Sequence, residues 1–229
     1  MTVCRARGGS LRRGRSFMNT KHLRRVFRKF VPRRTPVAQT TPDNPQLRMV
    51  CRFAESSELP VPTAPDDYKL FRYSPAFKGQ WLDLLNESGE FGILDRKALR
   101  SQVLSSLLPD GGALVSHEGR LVACAAACSY ERFEPYALLM FVVVLAAHRG
   151  RGLGTTVTVE VMRAARRVGR AGILLHTDDE RLPAIRTYLK LGFEPDTEWE
   201  PSAKGRWEAV LSGVARPAGE ALGTPGRES

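Results

Sequence analysis

The feature that most constrains the fold is a hydrophobic stretch that runs into a glycine-rich turn and then into an amphipathic segment. Residues 136–145 are rich in Val and Leu, and this apolar run predicts a buried strand. Glycines follow at positions 150, 152 and 154. In residues 152–168, apolar side chains recur at positions i, i+4, i+8, i+11 and i+15, the spacing of one helical face. A strand, a turn and a helix in direct succession favour an α/β fold.

The same turn is suited to bind a phosphate or pyrophosphate group. Glycines let the backbone approach a ligand closely, and the unpaired N–H groups at a helix start favour an anion. Two common phosphate-binding motifs do not fit, because the third glycine of G-x-G-x-x-G would fall on Thr155 and no P-loop lysine follows. The spacing that fits is R-x-x-G-x-G, with Arg149, Gly152 and Gly154. Taken alone, that hexapeptide also fits a purely structural loop.

A second motif follows about 30 residues later. Residues 183–193 read A-x-x-x-Y-x-x-x-G-F from Ala184 onward, which predicts a short helix that ends at a C′ glycine. Ile185, Tyr188 and Leu189 share one face of this helix. Tyr188 is therefore either a functional residue or an ordinary core residue whose hydroxyl lies at the rim.

These two motifs, in this order and with one predicted strand between them, resemble the GCN5-related N-acetyltransferase (GNAT) superfamily. The resemblance covers about residues 66–211, and its specific part is residues 138–193. It implies an α/β fold with a mixed, mostly antiparallel central sheet, helices on both faces and one parallel strand pair that splays apart. The splayed strands would be residues 136–145 and 172–177, with the pantetheine arm of acetyl-CoA in the gap.

The resemblance also implies which residues bind acetyl-CoA, the expected co-substrate. No metal ion is expected. The loop amides would cradle the CoA pyrophosphate, and the strand backbone would bond the pantetheine. The residues concerned are Val142, Val143, Val144, Arg149, Gly150, Arg151, Gly152, Leu153, Gly154, Arg181 and Tyr188. Two positions depart from the family pattern, since Ala146 stands where proline is common and Arg181 where asparagine is frequent. The second departure puts one contact on the pantetheine side in question.

The reaction that the resemblance implies is direct attack of an amine, from a small molecule or a protein, on the acetyl thioester. Tyr188 matches the family's tyrosine and would protonate the departing thiolate, while a backbone amide near Val144 would stabilise the oxyanion. The general base is left open between Glu134, Glu131 and His176, or entry of an already neutral amine. A degenerate acyl-CoA-binding module that performs no transfer is the alternative function.

The formal net charge of +11 comes entirely from the first quarter of the chain. Residues 1–65 contain 14 Lys and Arg against three acids, whereas the remaining residues are balanced. This basic, proline-rich composition predicts a disordered tail over residues 1–65. The resemblance implies an acetyltransferase domain over residues 66–212, which leaves a flexible tail over 213–229. The basic pI therefore gives no reason to expect that the domain binds nucleic acid.

One piece of the N-terminal tail has a pattern of its own. Residues 17–30 predict a short basic amphipathic helix, so that residues 5–34 would contact an anionic or membrane surface, or act as an organellar presequence. Alternatively, the gene start is over-extended and the protein begins at Met18 or Met49. No apolar run approaches the roughly 20 residues of a membrane-spanning helix.

The cysteines favour a reducing, cytoplasmic location. Cys124 and Cys128 lie on one predicted strand, about 13 Å apart, which is too far for a disulfide. No CxxC pair is present, so structural zinc is not expected either.

Hydrophobic periodicity from residue 66 onward predicts the element order β-α-α-β-β-β-α-β-α-β. The predicted elements are, in order, residues 68–73, 75–85, 95–108, 111–117, 121–129, 136–145, 152–168, 172–177, 183–191 and a last short strand at 207–211.

Overall fold

A mixed sheet forms the centre of the protein, which is represented by a computed structural model that describes residues 45–54 and 58–215. The seven strands in this part of the chain are β1 Leu47–Arg52, β2 Tyr68–Arg72, β3 Leu107–His117, β4 Arg120–Cys128, β5 Tyr136–Val144, β6 Gly172–Thr177 and β7 Glu194–Pro195. Their spatial order is β2-β3-β4-β5-β6-β1-β7. All neighbouring pairs are antiparallel except β5 and β6, which run parallel.

Five α-helices surround the sheet in the described residues. They are α1 Lys78–Ser88, α2 Arg96–Leu99, α3 Leu153–Arg167, α4 Leu182–Lys190 and α5 Ala203–Ala215. α2 is shorter than predicted, because it continues as a π-helical turn at Arg100–Leu104 before β3 begins. α3 packs on β3, β4 and β5, and α1 packs on β4 and β5. The predicted fold class, a mixed and mostly antiparallel sheet with one parallel pair, is confirmed.

The core lies between the sheet and these helices. In β4 every residue after Arg120 is buried, and Ala123 and residues 125–127 are small enough to let helices approach closely. Apolar residues at helical spacing form the buried face of α3, as the sequence predicts. The side chain of Asp95 caps α2 by accepting a hydrogen bond from the Ala98 N–H at 2.6 Å.

The domain begins at or before the strand β1, and not at residue 66 as the sequence predicts. β1 pairs along its whole length with β6 and also contacts β7. Leu47 and Met49 are fully buried, so this strand belongs to the core. A chain that began at Met49 would lack the first two residues of β1. The domain therefore includes Leu47, whereas the predicted basic helix and the rest of residues 1–44 lie outside the described residues.

The proline-rich residues 58–65 also belong to the domain, because they pack along α3. The Thr156 hydroxyl donates to the carbonyl of Thr63, and Arg163 donates to the carbonyls of Leu59 and Pro60 at 3.2 Å each. These bonds satisfy backbone acceptors that a strand partner would otherwise serve. Proline-rich composition here reflects an extended covering segment, not a tail.

The last predicted strand, residues 207–211, is wrong, since these residues lie within α5. Trp207 and Val210 are both buried at a spacing of three, which suits a helix, and the sheet position beside β6 is already taken by β1. Arg206 anchors α5 through ion pairs with Asp179 and Glu200. Of the tail expected at 213–229, residues 213–215 belong to α5 and the others lie outside the described residues.

The cysteines of the domain carry unbridged thiols. Cys51, Cys124 and Cys128 are buried and form no disulfide with one another. Burial raises the pKa of Cys124 and of Cys128 to about 12, so both thiols stay protonated at neutral pH. None of the helices in the described part of the chain has the length and apolarity of a membrane span.

Candidate active site

The parallel strands β5 and β6 separate soon after they begin. Their pairing is limited to residues 136–138 of β5 and 172–174 of β6. Beyond that point β5 continues to Val144 and β6 to Thr177 without facing hydrogen bonds between them. The two edges therefore present backbone N–H and C=O groups to a gap, where an extended ligand can bond to them.

A bulge in β5 accompanies this separation. The register between β4 and β5 shifts between Cys124 and Ala126, and Phe141 has a φ of +53°. That value is uncommon for a bulky residue. The Phe141 ring packs on Phe91, with centroids 4.9 Å apart, and this contact stabilises the backbone conformation. A bulge bends its strand and increases its twist, which turns the end of β5 away from β6.

The glycine-rich turn closes one end of the gap. Gly150 and Gly152 have φ values of +78° and +77°, a left-handed conformation that favours glycine. The first bond of α3 runs from the Thr156 N–H to the Gly152 carbonyl at 3.0 Å. The preceding amides of the turn are thus outside the helical ladder, and with the helix dipole they favour an anion at this position.

A cleft of about 690 Å³ lies between the end of β5, the start of α3 and α4. The structure brings nine of the eleven residues expected at the acetyl-CoA site to its walls: Val142, Val144, Arg149, Gly150, Gly152, Leu153, Gly154, Arg181 and Tyr188. The other two point elsewhere. Val143 is buried, and Arg151 turns back to donate to the carbonyls of Ala147 at 2.8 Å and Arg149 at 3.4 Å.

Several cleft residues were missed by the sequence reasoning. They are Glu90, His148, Thr155, Thr158, Pro183, Ala184, Thr187 and Lys190. Most adjoin the two motifs, so their position beside Gly154 or Tyr188 was a usable signal. Glu90 is different, because it lies in a loop after α1, about 60 residues before the glycine turn.

Tyr188 projects from α4 into the cleft and is only 8% exposed. No hydrogen bond to its hydroxyl is present among the described residues. Burial raises the pKa of Tyr188 to about 12, with the charge of Glu90 adding to the effect and that of Arg181 opposing it. The hydroxyl therefore keeps its proton throughout the neutral range and is available to donate it.

The cleft wall is predominantly positive. Arg149, Arg181 and Lys190 line it, and Glu90 is the only acidic side chain among the described residues that do so. Arg149 is oriented by a bond from its Nε to the Val144 carbonyl at 3.0 Å. Glu90 pairs with Arg149 at 3.5 Å and with Arg181 at 2.7 Å. Such a wall suits a ligand with more than one negative charge.

The residues considered as general base lie away from this cleft. Glu134 forms an ion pair with Arg170 and accepts a bond from the Ser129 hydroxyl at 3.3 Å. The Arg170 hydrogen bond lowers the pKa of Glu134 and makes its carboxylate a weaker base. Glu131 is an exposed residue at the start of a 3₁₀ turn and does not line the cleft either. The base roles of both residues stay predictions.

His176 occupies a separate aromatic cluster. Its ring contacts Phe133 and Trp199, with centroids 5.9 and 5.3 Å away. Burial and the nearby charge of Arg48 lower the pKa of His176 to about 4, so the ring is neutral at pH 7 but only weakly basic. It is not among the residues that line the cleft, and its base role likewise stays a prediction.

Comparison with curated proteins finds relatives of partial coverage. The mycothiol acetyltransferase of Saccharomonospora viridis is 27% identical over 165 residues, which is 65% of this chain and 53% of that protein. The mycothiol acetyltransferase of Nocardia farcinica is 43% identical over 49 residues, 21% of this chain and 16% of that protein. The chain thus spans about half, or less, of the length of these relatives.

Solved structures share the fold. A GCN5-related N-acetyltransferase from Sphaerobacter thermophilus superimposes with a TM-score of 0.55 at 18% identity, over 67% of this chain and 50% of that one. A tandem GNAT protein from the clavulanic acid biosynthesis pathway gives a TM-score of 0.51 at 21% identity, over 67% and 51%. At these identities the likeness concerns architecture alone.

The sequence profile of the acetyltransferase (GNAT) family matches residues 76–193, slightly more than half of the 229 residues. The matched span contains α1, the bulged strand β5, the glycine turn and the tyrosine of α4. Because this span holds the splayed strand pair and every residue that lines the cleft, profile and geometry agree, and the chain belongs to the GNAT family of acetyltransferases.

Proposed function

We propose that the protein transfers an acetyl group from acetyl-CoA directly onto the primary amine of a small-molecule or protein acceptor. The observation that carries the proposal is the cleft itself. It runs along the edge of β5 that has separated from β6, ends at the amides of the glycine turn and has the protonated Tyr188 on its wall. A thioester ligand with an anionic diphosphate at one end requires these three features.

The residues present fit acetyl-CoA. A Cβ added at Gly150 or Gly152 would meet no atom within 4 Å, so the space above the turn is open to a ligand. Thr158 lies one turn into α3, and its buried Oγ1 has no hydrogen-bond partner among the described residues. An unpaired buried hydroxyl on a cleft wall is expected to be satisfied when a polar ligand is present. Arg149, Arg181 and Lys190 supply the matching positive charge.

The protein's own groups then have distinct tasks. Acetyl-CoA would supply a thioester carbonyl that is open to attack by a neutral amine. The turn amides and the arginines hold the diphosphate, which positions the ligand along β5. Backbone N–H groups of β5 that face the gap near Val144 are the donors for developing negative charge. Tyr188 holds the proton that a departing thiolate needs.

The curated relatives suggest where to look for the acceptor. They are named mycothiol acetyltransferases, so the amine acceptor of those enzymes is the first compound to test. A panel of small primary amines and amine-bearing peptides should follow, because the chain matches only part of each relative.

The test is an acceptor screen with labelled acetyl-CoA and the full chain. Transfer of label to an amine, together with saturable acetyl-CoA binding by calorimetry, is the expected result. Saturable binding without transfer to any amine would favour the acyl-CoA-binding module instead. A folded chain that binds neither acetyl-CoA nor CoA would overturn the proposal.

Substitution of Gly154 tests the glycine turn. Gly154→Asp places a carboxylate where the diphosphate is expected, so acetyl-CoA should bind at least about tenfold more weakly, a cost of about 1.4 kcal/mol. Stability should hold or rise, because an acidic residue in the first turn of α3 favours the helix dipole. Calorimetric titration and thermal melting measure the two effects separately.

Gly154→Ala is the matched control. Its Cβ would lie 3.7 Å from Val144 Cγ2, an ordinary contact, so the variant should fold and retain most of its affinity. Equal affinity for acetyl-CoA in the parent and in a folded Gly154→Asp variant would contradict the assignment of the turn.

A further inference from the structure

A second pocket, of about 410 Å³, adjoins the cleft at the start of α3. Gly152 and Thr155 line both spaces, so the pocket and the cleft share a wall. The proline-rich residues 60–65 form the largest part of the remaining wall, and Leu191, just after α4, contributes to it. A ligand whose anionic group lies at the glycine turn therefore has room to extend from the cleft into this pocket.

Hydrogen bonds to α3 fix the shape of the proline-rich wall. The Thr156 hydroxyl donates to the Thr63 carbonyl, and Arg163 donates to carbonyls at the start of the segment. Each proline also has a fixed φ, which limits rearrangement of the backbone. The pocket is thus formed before a ligand arrives, as is usual for small-molecule sites. Residues 60–65 precede the span 76–193 that matches the family profile, so this wall is an addition of the present chain.

Arg151 places a fixed guanidinium plane on the same pocket. It lies in the glycine turn but does not line the cleft, and its Nη1 donates to the carbonyls of Ala147 at 2.8 Å and Arg149 at 3.4 Å. Among the described residues that line the pocket, it is the one charged side chain. A guanidinium group stacks on aromatic rings and also attracts phosphate groups.

The composition of the walls defines the ligand that would fit. Proline rings and the side chains of Ala64, Val159 and Leu191 are apolar, and the described lining contains no acidic residue. Apolar walls with one guanidinium plane suit a flat nitrogenous base that is attached to phosphate groups. CoA has such a base, joined through ribose to the diphosphate that is expected at the shared wall. We propose that this pocket binds the adenine ring of CoA between residues 60–65 and Arg151.

This inference rests on the proposed function and adds a second binding site for the same co-substrate. The cleft would hold the pantetheine arm and the diphosphate, and the pocket would hold the adenosine. 4′-Phosphopantetheine has the arm and a phosphate but lacks the adenosine, so it should bind in the cleft alone. Changes in the pocket should consequently weaken CoA binding without weakening the binding of 4′-phosphopantetheine.

The first test is the Ala64→Trp variant of the full chain. Ala64 is half-buried and lines the pocket but not the cleft, so the added indole would occupy the space expected for adenine. CoA should bind about tenfold or more weakly in calorimetric titration, because stacking of the base is lost. The affinity for 4′-phosphopantetheine should stay at the parental value. An equal loss for both ligands would contradict the inference.

Arg151→Lys tests the guanidinium plane independently of the size of the pocket. Lysine keeps the positive charge beside the glycine turn but has no plane on which a base can stack. CoA should therefore bind about three- to tenfold more weakly, with 4′-phosphopantetheine again unchanged. This variant decides the question if Ala64→Trp does not fold.

Ala209→Trp is the matched control, since it makes the same substitution elsewhere. Ala209 is an exposed residue of α5 and lines neither the pocket nor the cleft. This variant should bind CoA and 4′-phosphopantetheine with parental affinities. Thermal melting of all variants shows whether the fold is kept.

The two proposals fail in distinguishable ways. A folded parent chain that binds neither CoA nor 4′-phosphopantetheine overturns the proposed function and this inference together. If the parent binds both, unchanged CoA affinity in folded Ala64→Trp and Arg151→Lys variants overturns this inference alone. ADP, which supplies the base without the arm, should compete with CoA. Binding of ADP alongside CoA would assign the pocket to a free nucleotide and would also overturn it.

Discussion

Replacing Tyr188 by phenylalanine is expected to lower kcat about ten- to thousandfold, the range in which general acids contribute. The change removes one oxygen and leaves a ring that still packs against Phe193, 5.6 Å away between centroids. Stability and acetyl-CoA affinity should therefore stay near the parental values. A loss shared equally by kcat and kcat/KM, measured by steady-state kinetics, marks an interaction made only in the transition state.

Tyr130→Phe is the control for this prediction. Tyr130 is a partly buried tyrosine outside the cleft whose hydroxyl donates to the Gln102 carbonyl at 3.3 Å. Its loss should leave kcat within about twofold of the parent. If Tyr188→Phe behaves in the same way, another group protonates the thiolate and Tyr188 serves only in packing.

The pH dependence gives an independent check on Tyr188. Its proton is present below the folded-state pKa of about 12 and is lost only above it. Loss of this proton should therefore cause no decline in the activity of the parent between pH 7 and about pH 10. A decline near pH 8 that disappears in the variant would contradict the protonated state derived from burial.

Removal of residues 1–65 is expected to abolish cooperative folding. The deletion takes away β1, which pairs with β6 on one side and β7 on the other. It also removes the segment that covers α3 near Thr63. Exposed strand edges and the loss of four core side chains, Leu47, Met49, Val50 and Cys51, leave the domain without part of its core. Urea denaturation followed by circular dichroism measures the effect.

Point variants separate the contribution of β1 from the size of the deletion. Met49→Ala should cost about 2–5 kcal/mol of unfolding free energy, the usual range for a fully buried methionine. Val61→Ala is the control, because Val61 is 72% exposed, and it should stay within about 0.5 kcal/mol. A fragment 66–229 that unfolds cooperatively at the parental midpoint would show that β1 is dispensable.

The parts of the fold that the sequence predicts well are those with local signals. The strand, glycine turn and helix around Gly152 are adjacent in sequence. The strand and the helix have recognisable hydrophobic patterns, and the glycines mark the turn between them. The helix that carries Tyr188 ends at a glycine and is equally local. Nine of the eleven expected site residues line one cleft because they belong to these two segments.

The parts that sequence reasoning missed depend on distant partners. β1 is a six-residue strand in a basic, proline-rich region, and its apolar residues matter only because β6 lies opposite them. Residues 207–211 are helical since that place beside β6 is already filled. Glu90 reaches the cleft through the packing of its loop on Phe141. No local pattern could indicate any of these contacts.

The position of β1 also has a consequence for how the protein is made. Leu47 pairs with Thr177, so the first described strand meets its partner only after 130 further residues have been synthesised. At a synthesis rate of roughly 5–20 residues per second, β1 has no partner strand for about 6 to 26 seconds after its own synthesis. β6 is the strand from which β5 separates beside the cleft, and β1 pairs with the other edge of β6. A nascent chain therefore acquires its co-substrate site only when the two ends of the domain have met.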